Sequence, residues 1–126
     1  MLTKENFAKG YLALYTISIY MYWFDAYDRM ALQYLLISII TLISLFVIPS
    51  IFKPKEIKQA ILDPLSLIFA GYLFFAILSM TASINIVESF VRLGQLGSFY
   101  LSLLIILLIA KQKLININFI LYLLLI

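Results

Sequence analysis

The chain has 126 residues, of which 65% are hydrophobic and only 12% charged, about half the charge of a soluble domain. Its formal net charge of +3 therefore reads as membrane orientation rather than nucleic-acid binding. Cysteine and histidine are both absent, which excludes disulfides, thiolate nucleophiles, cysteine metal sites and the commonest general base and metal ligand.

The charges are clustered. Residues 30–52, 64–87 and 93–110 contain none, giving uncharged runs of 23, 24 and 18 residues. A bilayer core takes roughly 20 apolar residues at about 1.5 Å each. Runs such as LSLLIILLIA (101–110) are apolar on every face, whereas a membrane β-barrel strand would alternate with period two. The predicted fold class is all-α: a polytopic transmembrane helical bundle with four spans, a partial fifth, and a cytoplasmic N-terminus.

The first span is predicted at 7–24. MLTKENFAKG resembles a signal-peptide n-region, but no small-x-small cleavage site follows, so the span is read as uncleaved. Its uncharged part, 10–24, makes only about 22 Å of helix. Phe7 and Ala8 extend it, with Lys9 reaching back to the headgroups. Tyr20, Tyr22, Trp23, Phe24 and Tyr27 form an aromatic belt at the exit. Asp25, Asp28 and Arg29 make a short turn. Two carboxylates without further ligands read as a solvated turn rather than a cation site.

The second span is predicted at 30–48, ended or kinked at Pro49. SIFKPKEIKQAILDP is expected to be a loop. Its Lys53, Lys55 and Lys58 set topology and stand where anionic lipid headgroups would lie. The third span is predicted at 64–83, with the small, polar end AILSMTAS packing on another helix. Gln33, Ser38, Thr41, Ser44, Ser66, Ser79 and Thr81 can bond back to their own helices, and none marks a pore. The fourth span is predicted at 93–110, with Gly94 and Gly97 easing tight packing. Lys111 and Lys113 follow. A last apolar segment, 114–126, is too short at about 20 Å for a full crossing, so a longer protein is expected to continue beyond it.

Between the third and fourth spans, SINIVESFVRL reads as an amphipathic interfacial turn over 84–92. Asn85, Glu88, Ser89 and Arg92 share one face, and Ile84, Val87, Val91 and Gly94 the other. Asn85 suits an N-cap with Glu88 at N3, and Glu88 precedes Arg92 by four. That is a structural role. The functional alternative is that Arg92 meets an anionic phosphate, which its planar fork binds bidentately.

With the N-terminus inside, Lys4, Lys9, Lys53, Lys55, Lys58, Lys111 and Lys113 all fall on the cytoplasmic side, seven bases against Arg29 and Arg92 outside. The segment 84–92 then lies on the outer face. The spans carry no clear buried charge, which speaks against an ion-coupled transporter.

The pattern Leu78-Ser79, Ser83, Asn85, Glu88 and Ser89 between two apolar spans resembles the N-terminal part of the O-antigen ligase and polymerase-like family of bacterial inner-membrane proteins. DRMALQYLLISIITLISLFVIPSIF is similar to the second helix of such proteins. The resemblance implies a larger membrane protein that acts in lipopolysaccharide or related polysaccharide biosynthesis. Such a protein transfers glycan from a polyprenyl-diphosphate carrier at the periplasmic face, without a cofactor or a metal. The family's catalytic arginine and histidine residues lie in later helices and a long loop, so no catalytic residue carries over. This chain is then expected to be inactive alone, with membrane lipids, the carrier-linked glycan and the C-terminal helices of the parent as partners. If Arg92 has a role beyond its pair with Glu88, it would help hold the diphosphate carrier near the outer surface. The alternatives are a transporter or flippase fragment, or a small accessory membrane protein without catalysis.

Overall fold

A computed structural model describes the backbone of residues 3–20 and 26–125, and the side chains of these residues apart from 26–32 and 124. Among the described residues the fold is all-α, with six helices: α1 Lys4–Tyr20, α2 Ala26–Ile51, α3 Pro54–Ile61, α4 Pro64–Met80, α5 Ile86–Lys111 and α6 Ile117–Leu124. Two of them are long and apolar enough to cross a membrane, in α2 over Gln33–Ile51 and in α5 over Ile86–Lys111. A third crossing arises if α3 and α4, which meet at a 63° bend, count as one.

The described helices differ from the predicted spans at some of their ends. α1 has 17 residues, about 25 Å. The expected exit of the first span, 21–24, lies outside the described residues. So do Asp25 and the side chains of Tyr27, Asp28 and Arg29. α6 has eight residues, about 12 Å, within the last segment, predicted too short for a full crossing. α2 runs through Pro49 and stops at Ile51. A proline there removes one intrahelical bond, and the last turn survives because the Phe52 amide still reaches Ile48 at 2.8 Å.

The largest departure is α3, which occupies the expected loop. Pro54 stands at its first position, where a missing N–H costs nothing. The Glu56 carboxylate accepts from the Lys53 amide at 2.9 Å, covering one orphan donor. Ile57 and Ala60 point inward and Lys55, Lys58 and Gln59 point out, so the short helix is amphipathic. Asp63 then caps α4, accepting from the Leu65 amide at 3.0 Å, with Pro64 again at the first helical position.

The predicted separate turn over 84–92 is instead continuous with the fourth span, as the opening turns of α5. Its uncharged part, 93–110, is about 27 Å long, close to one bilayer core. Gly94 and Gly97 lie inside the helix, and among the described residues nothing approaches within 4 Å of where a Cβ would stand. They do not mediate close packing.

α5 is the hub, packing against α2, α3 and α4, while α1 packs on α2. The core gathers Phe7, Ala8 and Tyr11 of α1, Ile48 and Phe52 near the end of α2, Ala60 of α3, and Ile105, Leu108 and Ile109 of α5. Every one of these lies toward the end that holds the N-terminus and the C-terminus of α5.

The close helix contacts are polar rather than glycine-lined. Thr41 and Ser102 share a hydrogen bond at 2.8 Å, and Ser38 and Ser98 share one at 3.0 Å. Thr41 and Ser102 are each 1% exposed. Ser66 is hydrogen-bonded to the Tyr100 hydroxyl at 3.2 Å, beneath the stacked Phe69 and Tyr100 rings. The bond back to the own helix therefore forms for Ser44 and Thr81, whereas Ser38, Thr41 and Ser66 pair across helices. Small hydroxyl residues let backbones approach and pair across the seam. The Tyr11 hydroxyl is also buried and makes no hydrogen bond of good geometry. Gln33 reaches across to the Ile19 carbonyl at 2.8 Å and satisfies one of the orphan acceptors at the end of α1.

α5 ends in a Schellman turn. The Leu114 amide reaches the Ile109 carbonyl at 3.4 Å and the Lys113 amide reaches Ala110 at 3.1 Å. Lys113 takes the left-handed position, with φ of 50°. A side chain there costs about 1 kcal/mol. Lys113→Gly is accordingly expected to stabilise the fold by about 0.5 kcal/mol, the rest being lost to the freer unfolded chain. Unfolding of the two proteins by SDS in mixed micelles checks this.

Candidate functional site

The chain has two chemically distinct poles. One collects the lysines. Lys4 binds Glu56 at 2.7 Å, Lys111 binds Asp63 at 2.8 Å, and Lys9 binds Glu5 at 2.6 Å. The first two pairs tie α1 to α3 and the end of α5 to the start of α4. The Lys4 ammonium also sits 5.3 Å from the Phe52 ring centre, in a cation–π contact. The expected topology residues Lys53, Lys55, Lys58, Lys111 and Lys113 all lie at this pole, and all are exposed.

The two inter-helix pairs make the lysine pole acid-sensitive. The Lys4 ammonium and the Lys53 amide hold the Glu56 carboxyl below its ordinary value of 4.5. The Lys111 ammonium and the Leu65 amide hold Asp63 below its ordinary 3.8. A carboxylate depressed on folding contributes stability above its unfolded value and loses it as the pH falls through the depressed one. Stability is therefore expected to be level from pH 7 to about 5 and to decline below about 4.5, with Glu56→Gln and Asp63→Asn flattening the decline. Unfolding titrations at a series of pH values read this directly.

The opposite pole carries the candidate site. A cleft of about 550 Å³ opens between the second half of α4 and the first turns of α5. α4 contributes Tyr72, Phe75, Ala76, Ser79 and Met80. The connecting turn contributes Ala82 and Ser83, and α5 contributes Ser89, Arg92, Leu93 and Leu96. Residues 72, 75, 76 and 79 recur at helical spacing, so one stripe of α4 carries both the aromatic wall and Ser79. The cleft is amphiphilic. Three serines and a guanidinium lie toward the outer end, and aromatic and aliphatic side chains lie toward the middle of the bundle.

The mouth is well ordered by local bonds. The Asn85 side-chain oxygen accepts from the Glu88 amide at 3.3 Å and caps α5. Its amide group faces the Glu88 carboxylate at 3.5 Å. Only this forward half of a capping box forms. Ser83 donates to the Asn85 carbonyl at 3.2 Å, and the Ser83 and Ser89 hydroxyls are 2.5 Å apart. A hydroxyl has one proton, so Ser89 is the donor to Ser83. That bond fastens the turn to α5 and uses the protons of both hydroxyls, which leaves Ser79 and Arg92 as donors of the lining.

Arg92 lines the cleft, and its Nη2 donates to the Glu88 Oε1 at 2.7 Å. The pair is exposed, at 73% for Arg92 and 55% for Glu88, so it is worth only about 0.3–0.5 kcal/mol. Among the described residues this is the one bond of a fork that carries five N–H donors. The rest of the guanidinium is available to an anion. The lining residues offer hydroxyls and a cation.

The structure thus brings Arg92 together with Ser79, Ser83 and Ser89 and leaves Glu88 outside the lining, where it braces Arg92. Tyr72 and Phe75 were not singled out from the sequence. The signal was their helical spacing with Ser79, hidden within a run where nearly every residue is apolar. Comparison with known protein families, with curated proteins and with solved structures finds no match for this chain.

Proposed function

We propose that this chain is the N-terminal membrane portion of a bacterial glycan ligase or polymerase, inserted in the inner membrane with its N-terminus in the cytoplasm. In this reading the lysine pole faces the cytoplasm and the cleft opens at the periplasmic face. The cleft receives the diphosphate of a polyprenyl-linked saccharide, and the chemistry is done by later parts of the parent protein. The observation that carries the reading is the cleft itself: a guanidinium and the Ser79 hydroxyl above an aromatic wall match an anionic headgroup on an apolar tail. Arg92 suits the diphosphate because its fork can give parallel bonds to two oxygens. The Glu88 contact positions Arg92 when no ligand is bound and is weak enough to yield.

The test is binding. The purified chain in neutral detergent is titrated with farnesyl diphosphate, with farnesol and with inorganic pyrophosphate. The intact amphiphile is expected to bind tighter than either part. Arg92→Ala is expected to weaken it about 10- to 100-fold, the usual worth of hydrogen bonds to a charged group. Arg92→Lys should weaken it as well, because an ammonium lacks the fork. In the parent protein both variants lower glycan transfer at unchanged protein level. Equal binding by the wild-type and Arg92→Ala chains would sink the proposal.

A second reading rests on the 63° break between α3 and α4, since broken helices frame substrate sites in transporters. A transporter or flippase fragment would bind its cargo at that break, and Arg92 variants would leave binding unchanged.

A further inference from the structure

At the lysine pole the charges do not balance. Seven lysines gather there: Lys4, Lys9, Lys53, Lys55, Lys58, Lys111 and Lys113. The acids at this end are Glu5, Glu56 and Asp63, and each is already engaged, by Lys9, Lys4 and Lys111 respectively. Among the described residues, Lys53, Lys55, Lys58 and Lys113 have no carboxylate partner. Three of these four stand on or immediately before one eight-residue helix, α3.

The placement of α3 tells what those three lysines face. Its inner side is fixed: Ala60 is 2% exposed and packs with Ile57 in a crevice against Ile105 and Leu108 of α5. That leaves Lys55 and Lys58 no freedom to turn inward. The helix begins three residues after α2 ends and finishes three residues before α4 starts. It lies aslant, bent 63° from α4. An amphipathic helix with its apolar side held and its lysines outward, at the level where spanning helices stop, sits in the headgroup layer.

We infer that Lys53, Lys55 and Lys58 of α3 form a binding surface for anionic phospholipid headgroups, selecting phosphatidylglycerol-like lipids over zwitterionic ones. Charge complementarity commits the surface to this occupant: the pole has spent its own carboxylates and presents an excess of ammonium groups to a phosphate layer. A lysine at such a surface strengthens binding about fivefold, so three amount to on the order of a hundredfold. The inference rests on the membrane placement of the chain and is independent of the cleft and of any enzymatic role.

The experiment uses the full chain in neutral detergent, where membrane orientation does not enter. Retention of dioleoyl-phosphatidylglycerol and of dioleoyl-phosphatidylcholine is compared by native mass spectrometry across a lipid titration. The wild-type chain is expected to retain phosphatidylglycerol preferentially. The triple variant Lys53→Gln/Lys55→Gln/Lys58→Gln is expected to lose that preference by on the order of a hundredfold, and the triple Lys→Arg variant to keep it. Lys9→Gln, which removes a lysine already held by Glu5, should leave it nearly unchanged. If wild-type retains both lipids equally, or if the triple glutamine variant retains phosphatidylglycerol as wild-type does, the inference falls. In the Arg92→Ala background, which removes the cation of the cleft, the triple glutamine substitution is expected to cause the same loss of preference, which separates this result from failure of the cleft reading.

Discussion

Ser102→Leu is expected to destabilise the fold by about 2–3 kcal/mol, the largest single effect foreseen here. Ser102 is 1% exposed and lies where α5 meets α2. Its hydroxyl pairs with Thr41 at 2.8 Å and also donates to the Ser98 carbonyl at 3.0 Å. Leucine adds bulk where no space exists, which alone costs about 1–3 kcal/mol. The lost interhelical bond adds roughly 0.6 kcal/mol, the average for such bonds in membranes. Ser102→Ala removes the bond without the bulk and should cost only that smaller amount. Unfolding of the three proteins by SDS in mixed micelles separates the two terms. A leucine variant as stable as alanine would show that α2 and α5 are not closely packed at this level.

Ile105→Ala is expected to cost about 2 kcal/mol. Ile105 is 1% exposed and touches the α2, α3 and α5 parts of the core. In a soluble protein such a truncation costs about 2–5 kcal/mol, part of it lost transfer from water and part the cavity left behind. In a bilayer the separated helix still sits in hydrocarbon, so the transfer part largely disappears and the packing part remains. The lower end of the range follows. Phe46, at 83% exposure on the outer face of α2, provides the control: Phe46→Ala should leave unfolding nearly unchanged. A cost at Ile105 no larger than at Phe46 would mean that α5 is not the hub of the bundle.

Much of the helical framework was legible in the sequence because charge exclusion is a strong signal in hydrocarbon. The uncharged runs 30–52, 64–87 and 93–110 fall largely within α2, α4 and α5. α3 was missed although its signals were present: Pro54 before Glu56, then Ile57, Ala60 and Ile61 at helical spacing. Three lysines and two prolines in one short stretch looked like a loop, and tertiary contact with α5 decided otherwise. The segment 84–92 was read as separate because it sets Glu88 and Arg92 between two uncharged runs. Gly94 and Gly97 after it cost the helix only about 1 kcal/mol each, and the Asn85 cap and the length of α5 outweigh that. The hydroxyl seam was invisible for a different reason. A serine in a helix bonds to its own backbone or across to a neighbour, and only packing chooses.

The cleft shows the same division. Arg92, Asn85 and Glu88 stood out because charge and caps are rare in this chain. Tyr72 and Phe75 did not, because aromatic residues are common in it, at 16%. The features that matter together are the two poles: paired and unpaired lysines at one end, an arginine-lined cleft at the other. Arg92 and Lys111 bound the uncharged stretch of α5 by 18 residues, about one bilayer core.

In the proposed orientation these poles face opposite sides of the membrane, with the cleft outside. The absence of cysteine allows single-cysteine labelling without a background to remove. Ile84→Cys reports the cleft pole, since Ile84 is fully exposed in the turn before α5. Gln59→Cys reports α3 without altering a charge. In intact spheroplasts a membrane-impermeant maleimide is expected to label Ile84→Cys at once and Gln59→Cys only after permeabilisation. Labelling of Gln59→Cys in intact cells, or protection of Ile84→Cys until the membrane is opened, would contradict the orientation and with it the periplasmic placement of the Arg92 cleft.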